Sequence, residues 1–86
     1  MTNEQVITQF LKGQLGHSLH LYTEGSILIN YNTRIAYVEN NKLYLNKTKY
    51  SRTTSKIQSQ LRRLAPMYYK NIEEYEGDNY GRNINE

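Results

Sequence analysis

From His17 to Lys47 apolar residues recur at every second position, and three turn signals inside that stretch agree on one strand register. Alternation of period two marks a strand with one buried face. Thr23-Glu24-Gly25 supplies glycine where a three-residue hairpin loop needs left-handed backbone. Closing the loop there pairs Leu21 with Ile27 and Leu19 with Ile29. Asn32-Thr33 as a two-residue turn sets Ile29 against Ala36 and Ile27 against Val38. Asn40-Asn41, suited to a type I′ turn, sets Val38 against Leu43 and Ala36 against Leu45. These registers place Leu19, Leu21, Ile27, Ile29, Ala36, Val38, Leu43 and Leu45 on one face. A slip of one residue in any hairpin would destroy that agreement. The opposite face gains Tyr37 beside Tyr44 and Glu39 beside Lys42, both favourable cross-strand pairs. The prediction is a four-stranded antiparallel meander.

Helical signals flank it. Thr2-Asn3-Glu4-Gln5 reads as a capping box, and Val6, Ile7, Phe10 and Leu11 follow at helical spacing. A first helix over residues 3–13 results, with Gly13 as its stop. Ser51-Arg52-Thr53-Thr54-Ser55 opens a second helix that Pro66 should end. Ile57, Leu61, Leu64 and Ala65 share one side of it, while Arg52, Lys56, Ser59 and Arg63 share another. Met67, Tyr68 and Ile72 are expected to extend the packing. The fold class is therefore α+β: an N-terminal helix, a four-stranded antiparallel meander, and a C-terminal helix packed on one sheet face. Residues 1–70 form one domain, and residues 71–86 form an acidic tail, Asn-rich and poor in aliphatics, expected to be flexible.

Charge is strongly segregated along the 86 residues. Lys42, Lys47, Lys49, Arg52, Lys56, Arg62, Arg63 and Lys70 populate residues 42–70 without one acid. Residues 71–86 carry Glu73, Glu74, Glu76, Asp78 and Glu86 against Arg82 alone. A net formal charge of +3 hides this contrast. Tyrosine is the compositional oddity, with nine against one Phe and no Trp. Its amphipathic ring suits both thin cores and contact surfaces.

Catalysis finds little support. Cysteine is absent, which removes thiol nucleophiles, thiolate metal sites and disulfides together. His17 and His20, three apart in an extended strand, would point to opposite faces and could not share a metal. Glu4, Glu24 and Glu39 sit at a helix start, a turn and a turn flank, with no partner to split carboxylate pKa values. Gly13-Gln14-Leu15-Gly16 lacks the lysine and preceding strand of a phosphate loop. The expectation is a non-enzyme without cofactor or metal. No apolar run approaches the roughly 20 residues that span a bilayer, and no signal-peptide pattern opens the chain. A cytoplasmic protein without membrane association is expected.

The basic segment therefore carries the functional reading. Lys47, Lys49, Tyr50, Arg52, Thr53, Thr54, Ser55, Lys56 and Arg63 form the candidate nucleic-acid-binding set. Amides, hydroxyls and cations converging on a helix start suit a phosphate, and Tyr50 could either stack on a base or lean on the sheet. The plainer alternative is a solvated helix face with a Ser/Thr cap. The adjacent acidic tail would also be able to fold back and screen the basic helix.

Three stretches carry a resemblance: Ile35-Ala36-Tyr37, Leu43-Tyr44-Leu45-Asn46, and Lys49-Tyr50-Ser51-Arg52-Thr53-Thr54-Ser55-Lys56-Ile57-Gln58. Together they resemble a family of small uncharacterised proteins from phages, prophages and plasmids of Gram-positive bacteria. Its core runs Tyr-Ser-x-Thr-Thr-Ser-Lys-x-Gln. The match covers roughly residues 27–64, leaving out the first helix and the acidic tail. The resemblance implies a mobile-element origin, a bacterial host cytoplasm, and an accessory role in binding host nucleoproteins, CRISPR effectors among them, or in regulating nucleic acid. Anti-defence inhibitors of that kind are frequently acidic mimics of DNA. The basic core departs from that pattern, and only the tail matches it.

Two readings follow. In the first, a non-catalytic accessory protein engages nucleic acid, or a nucleic-acid-loaded host complex, through its basic helix. In the second, a protein-only interaction module, either a host-enzyme inhibitor or a homodimer, uses a Tyr-rich sheet face centred on Tyr37 and Tyr44, or an unpaired edge strand.

Overall fold

The computed structural model of the chain describes residues 1–76. Helix α1 spans Asn3–Leu11 and opens on the expected capping box. Thr2 Oγ1 accepts from the Gln5 amide at 3.2 Å, and Gln5 Oε1 accepts from the Thr2 amide at 2.8 Å. Val6, Ile7, Phe10 and Leu11 are buried. The helix stops two residues earlier than the sequence suggests, and Gly13 leaves it at φ +76°.

Five strands form one sheet in chain order: β1 Leu21–Glu24, β2 Ile27–Asn30, β3 Thr33–Glu39, β4 Lys42–Asn46 and β5 Ile72–Tyr75. The first four make an antiparallel meander. Its β3–β4 hairpin has the register read from the sequence, with Ala36 opposite Leu45, Tyr37 opposite Tyr44, Val38 opposite Leu43 and Glu39 opposite Lys42. Asn40 and Asn41 both take positive φ, as a type I′ turn demands.

The other two hairpins depart from the sequence reading. Gly25, at φ +61°, opens a two-residue turn with Ser26 instead of closing a three-residue loop. Leu21 consequently pairs with Asn30, not Ile27. That shift is an odd number of residues, so β2 is turned over. Leu28 and Asn30 are buried, while Ile27 and Ile29 lie half-buried on the opposite face. The next turn is Tyr31-Asn32, and Ile29 meets Arg34 before the register shifts to Leu28 opposite Ala36. Ile35 is the extra residue of this bulge, and it is buried together with its neighbour Ala36. Leu19, expected in the core, is 85% exposed because β1 begins only at Leu21.

Helix α2 spans Arg52–Leu64 and passes into a 3-10 turn, Ala65–Met67, that contains Pro66. Ile57, Leu61 and Ala65 are buried, and Leu64 packs beside them. Both helices contribute to one core with Leu21, Leu28, Ile35, Ala36, Leu43 and Leu45, so they share one sheet face. Ile72 packs against the core as expected and Tyr69 joins it, whereas Met67 and Tyr68 are exposed.

Strand β5 corrects the expectation of a tail from residue 71 and of a four-stranded sheet. It runs parallel to β4, with Leu43 opposite Ile72 and Leu45 opposite Glu74. The Leu43 amide donates to Asn71 O at 3.0 Å and the Lys47 amide to Tyr75 O at 2.8 Å. The folded unit thus continues past residue 70 to Tyr75, while tail residues 77–86 lie outside the described residues. Among the described residues, no helix is long and apolar enough to cross a membrane.

Candidate nucleic-acid interface

Helix α2 offers four sides, and its sequence assigns each. At roughly 100° per residue, Ile57, Leu61, Thr54, Ala65 and Gln58 cluster on one side, and all five are buried. Arg52, Lys56, Ser59 and Arg63 fall opposite, and all four are exposed. Gln60 and Lys56 turn toward α1, where they line an open groove of about 840 Å³ with Thr2, Glu4, Thr8 and Gln9. Arg62 turns the other way and reaches Glu74 of β5, Nη2 to Oε2 at 2.9 Å.

The candidate residues therefore separate into two groups. Lys47, Lys49, Arg52, Thr53, Lys56 and Arg63 are exposed. Among the described residues, no carboxylate lies within 4.0 Å of their charged groups, whereas Lys42 and Arg62 each hold one. From Arg52 to Arg63 the cations cover twelve residues of helix, eleven steps or about 16 Å at 1.5 Å per residue. The first turn of α2 carries no acid, so its free amides and positive dipole end add to the same field.

Thr54, Tyr50 and Ser55 depart from the expected contact set. Thr54 is fully buried, and its Oγ1 donates to Asn30 Oδ1 at 2.7 Å. The Tyr50 hydroxyl accepts from Asn46 Nδ2 at 2.9 Å, which ties this half-buried ring to the end of β4. Ser55 is half-buried, its amide donating to Ser51 O at 2.9 Å. Ser51 is the N-cap, its Oγ accepting from the Thr54 amide at 3.3 Å. Gln58, also buried, donates from Nε2 to Asn46 O at 2.8 Å and Thr48 O at 3.2 Å. Tyr50, Thr54 and Gln58 thus fasten α2 to the strand ends, and Ser51 caps the helix. Arg52, Thr53 and Lys56 are left to solvent.

Sequence reasoning missed the receiving side of this network. Asn30 closes β2, donating from Nδ2 to His20 O at 3.2 Å as well as accepting from Thr54. Asn46 closes β4, donating to Arg34 O at 2.9 Å and accepting from the Thr48 amide at 2.9 Å. An asparagine ending an otherwise apolar strand is the available signal, since its buried amide must find partners.

Tyr37 and Tyr44 lie on the sheet face away from the helices, stacked with centroids 4.6 Å apart and planes at 12°. Tyr75 tilts against Tyr37 at 5.3 Å. Arg34 lies 5.6 Å from the Tyr37 centroid, and Lys42 Nζ the same distance from that of Tyr44. Lys42 also pairs with Glu73 at 2.9 Å, and this carboxylate raises its pKa above the ordinary lysine value.

His17 and His20 do not point to opposite faces of a strand. They line one open hollow of about 310 Å³ with Leu19, Tyr22, Tyr31 and Asn32, and His20 stacks on Tyr31 at 4.3 Å. Among the described residues, no three His, Asp or Glu converge as metal ligands. No protein-family model, curated protein or solved structure matches the chain.

Proposed function

We propose that this chain is a non-catalytic nucleic-acid-binding protein that contacts phosphates through the exposed ridge of α2. What supports the reading is the separation of cations just described. Arg52, Lys56 and Arg63 lie opposite the buried side of the helix, with Lys47 and Lys49 on the approach from β4 and no carboxylate paired to any of them among the described residues. A merely solvated helix face ordinarily intersperses both signs. The ridge has cations, a hydroxyl at Thr53 and a helix start, which are phosphate contacts and carry no base readout. Binding is therefore sequence-independent, and its target is a free polymer or one carried by a host complex, in line with a mobile-element accessory role.

Titration of the protein with short DNA and RNA over a range of salt concentrations tests this. Affinity should fall steeply with salt, and Arg52→Ala, Lys56→Ala or Arg63→Ala should each flatten the slope of log K against log salt by about 1. Absence of binding to either polymer at low salt overturns direct recognition.

A further inference from the structure

The antiparallel registers bring four chain segments to one end of the sheet: β1 starts there, β2 ends, β3 starts and β4 ends. The turn Tyr31-Asn32 and the residues before β1 therefore share a rim with Lys47 and the loop that leads into α2. Two hydrogen bonds tie this rim together. Asn30 Nδ2 donates to His20 O at 3.2 Å, and Asn30 Oδ1 accepts from Thr54 Oγ1 at 2.7 Å. Through that one amide the His20 carbonyl lies no more than about 8 Å from the Thr54 hydroxyl, in the first turn of α2.

The hollow at this rim is lined by His17, Leu19, His20, Tyr22, Tyr31 and Asn32, without a carboxylate. His20 and Tyr31 stack with their planes 17° apart. That contact uses one face of each ring, and His20 is exposed, so the stack ends on an open imidazole face. Leu19, also exposed, adds apolar surface beside it. Tyr31 stands here at a conformational cost. Its φ of +58° is left-handed, a region that glycine or asparagine ordinarily fills and that a bulky residue enters only under constraint. The core gains little in return, since Tyr31 is half-buried and lies outside the apolar cluster. A strained aromatic outside the core suits a contact role.

An open ring face beside a phosphate-binding ridge is matched by a nucleobase. The ends of β2 and β4 lie two strand spacings apart, about 10 Å, which a few nucleotides span. A polymer whose phosphates lie on Lys47 and Arg52 thus reaches the hollow with a base. Bases within a duplex are already stacked and paired, so only an unpaired one can be splayed onto the ring.

We infer that the rim hollow is a base-stacking site and that the polymer held by the α2 ridge is single-stranded. It rests on phosphate binding by that ridge and adds the form of nucleic acid bound. The stacking expected of Tyr50, whose hydroxyl is tied to Asn46, falls instead to His20 and Tyr31. Every base has a π-face, so binding stays independent of sequence.

Titration of the full chain with single strands and duplexes of equal length, each as DNA and as RNA, reads this directly. The ridge alone would favour the duplex, whose charge is denser. Stacking should reverse that order and favour the single strand by about tenfold or more. Tyr31→Asn relieves the left-handed backbone and removes the ring, so far-UV circular dichroism should stay native while single-strand affinity falls about tenfold. His20→Ala should lower it likewise, and Tyr31→Phe, which keeps a ring, should restore it. The salt slope should hold in all three, unlike in Arg52→Ala. Equal or tighter binding of the duplex overturns the inference and leaves the ridge standing. So does single-strand affinity that neither Tyr31→Asn nor His20→Ala moves. Absence of binding to any of these polymers at low salt overturns both together.

Discussion

Thr54 Oγ1 donates a 2.7 Å hydrogen bond to Asn30 Oδ1, joining the first turn of α2 to the last residue of β2 across twenty-four positions of sequence. Both side chains are buried. A hydroxyl that looks, in one dimension, like part of a phosphate-binding cluster is instead a fastening between layers.

Its removal should be felt in stability and not in binding. Thr54→Val keeps the shape and deletes the donor, leaving a buried amide oxygen short of a partner at a cost of about 1–3 kcal/mol. Urea denaturation should show that loss for Thr54→Val and much less for Thr54→Ser. Oligonucleotide affinity measured on the folded fraction should stay at the native value for both. A fall in affinity without a fall in stability would return Thr54 to the contact surface.

Ser51 tests the same layer at the helix end. Its side chain accepts from the Thr54 amide, so Ser51→Ala should cost about 1 kcal/mol, and Ser51→Asp should retain most of the cap. The shift in denaturation midpoint decides.

Arg62 and Arg63 are neighbours with opposite circumstances. Arg62 is held by Glu74, while Arg63 stands on the ridge. Arg63→Ala should therefore lower the salt slope of oligonucleotide binding by about 1, and Arg62→Ala by clearly less. Glu74→Gln, which releases Arg62, should tighten binding at low salt. Equal effects from the two arginines would mean that the α2 ridge is not the contact.

The Lys42–Glu73 pair gives a pH expectation. The folded-state pKa of Lys42 is raised, chiefly by its hydrogen bond to Glu73, so whatever stability the pair adds is fully present below the ordinary lysine pKa. It is lost as pH climbs through the raised value. Titration of the Lys42 side chain by NMR should show that upward displacement in the native protein and its disappearance in Glu73→Gln.

Much of this architecture was legible in one dimension, and the exceptions share a cause. The capping box at Thr2 and Gln5 and the Asn40-Asn41 turn are local chemistry, and both stand in the structure as read. Ile27-Leu28-Ile29 is not local in that sense. With apolar residues on both faces, the pattern cannot say which side faces inward, and the choice passed to Gly25. The bulge at Ile35 then reconciled a turned-over β2 with an unchanged β3–β4 pairing. Strand β5 was hidden by the acids that guard a short edge strand and make it resemble a tail. At the candidate site, alternation along α2 separated Arg52, Lys56 and Arg63 from the buried side correctly. It did not identify Thr54 and Gln58 as inward-facing, because their partners Asn30, Asn46 and Thr48 lie in remote strands and loops.

The parallel pairing of β5 with β4 has a temporal consequence. Antiparallel neighbours joined by two-residue turns can zip together from adjacent sequence, but parallel neighbours need an intervening crossover, here the segment containing α2. A ribosome that has released only the meander has produced an incomplete sheet with the outer side of β4 still bare. That side is closed last, by the same residues, Glu73 and Glu74, whose carboxylates then quiet two of the cations that preceded them out of the exit tunnel.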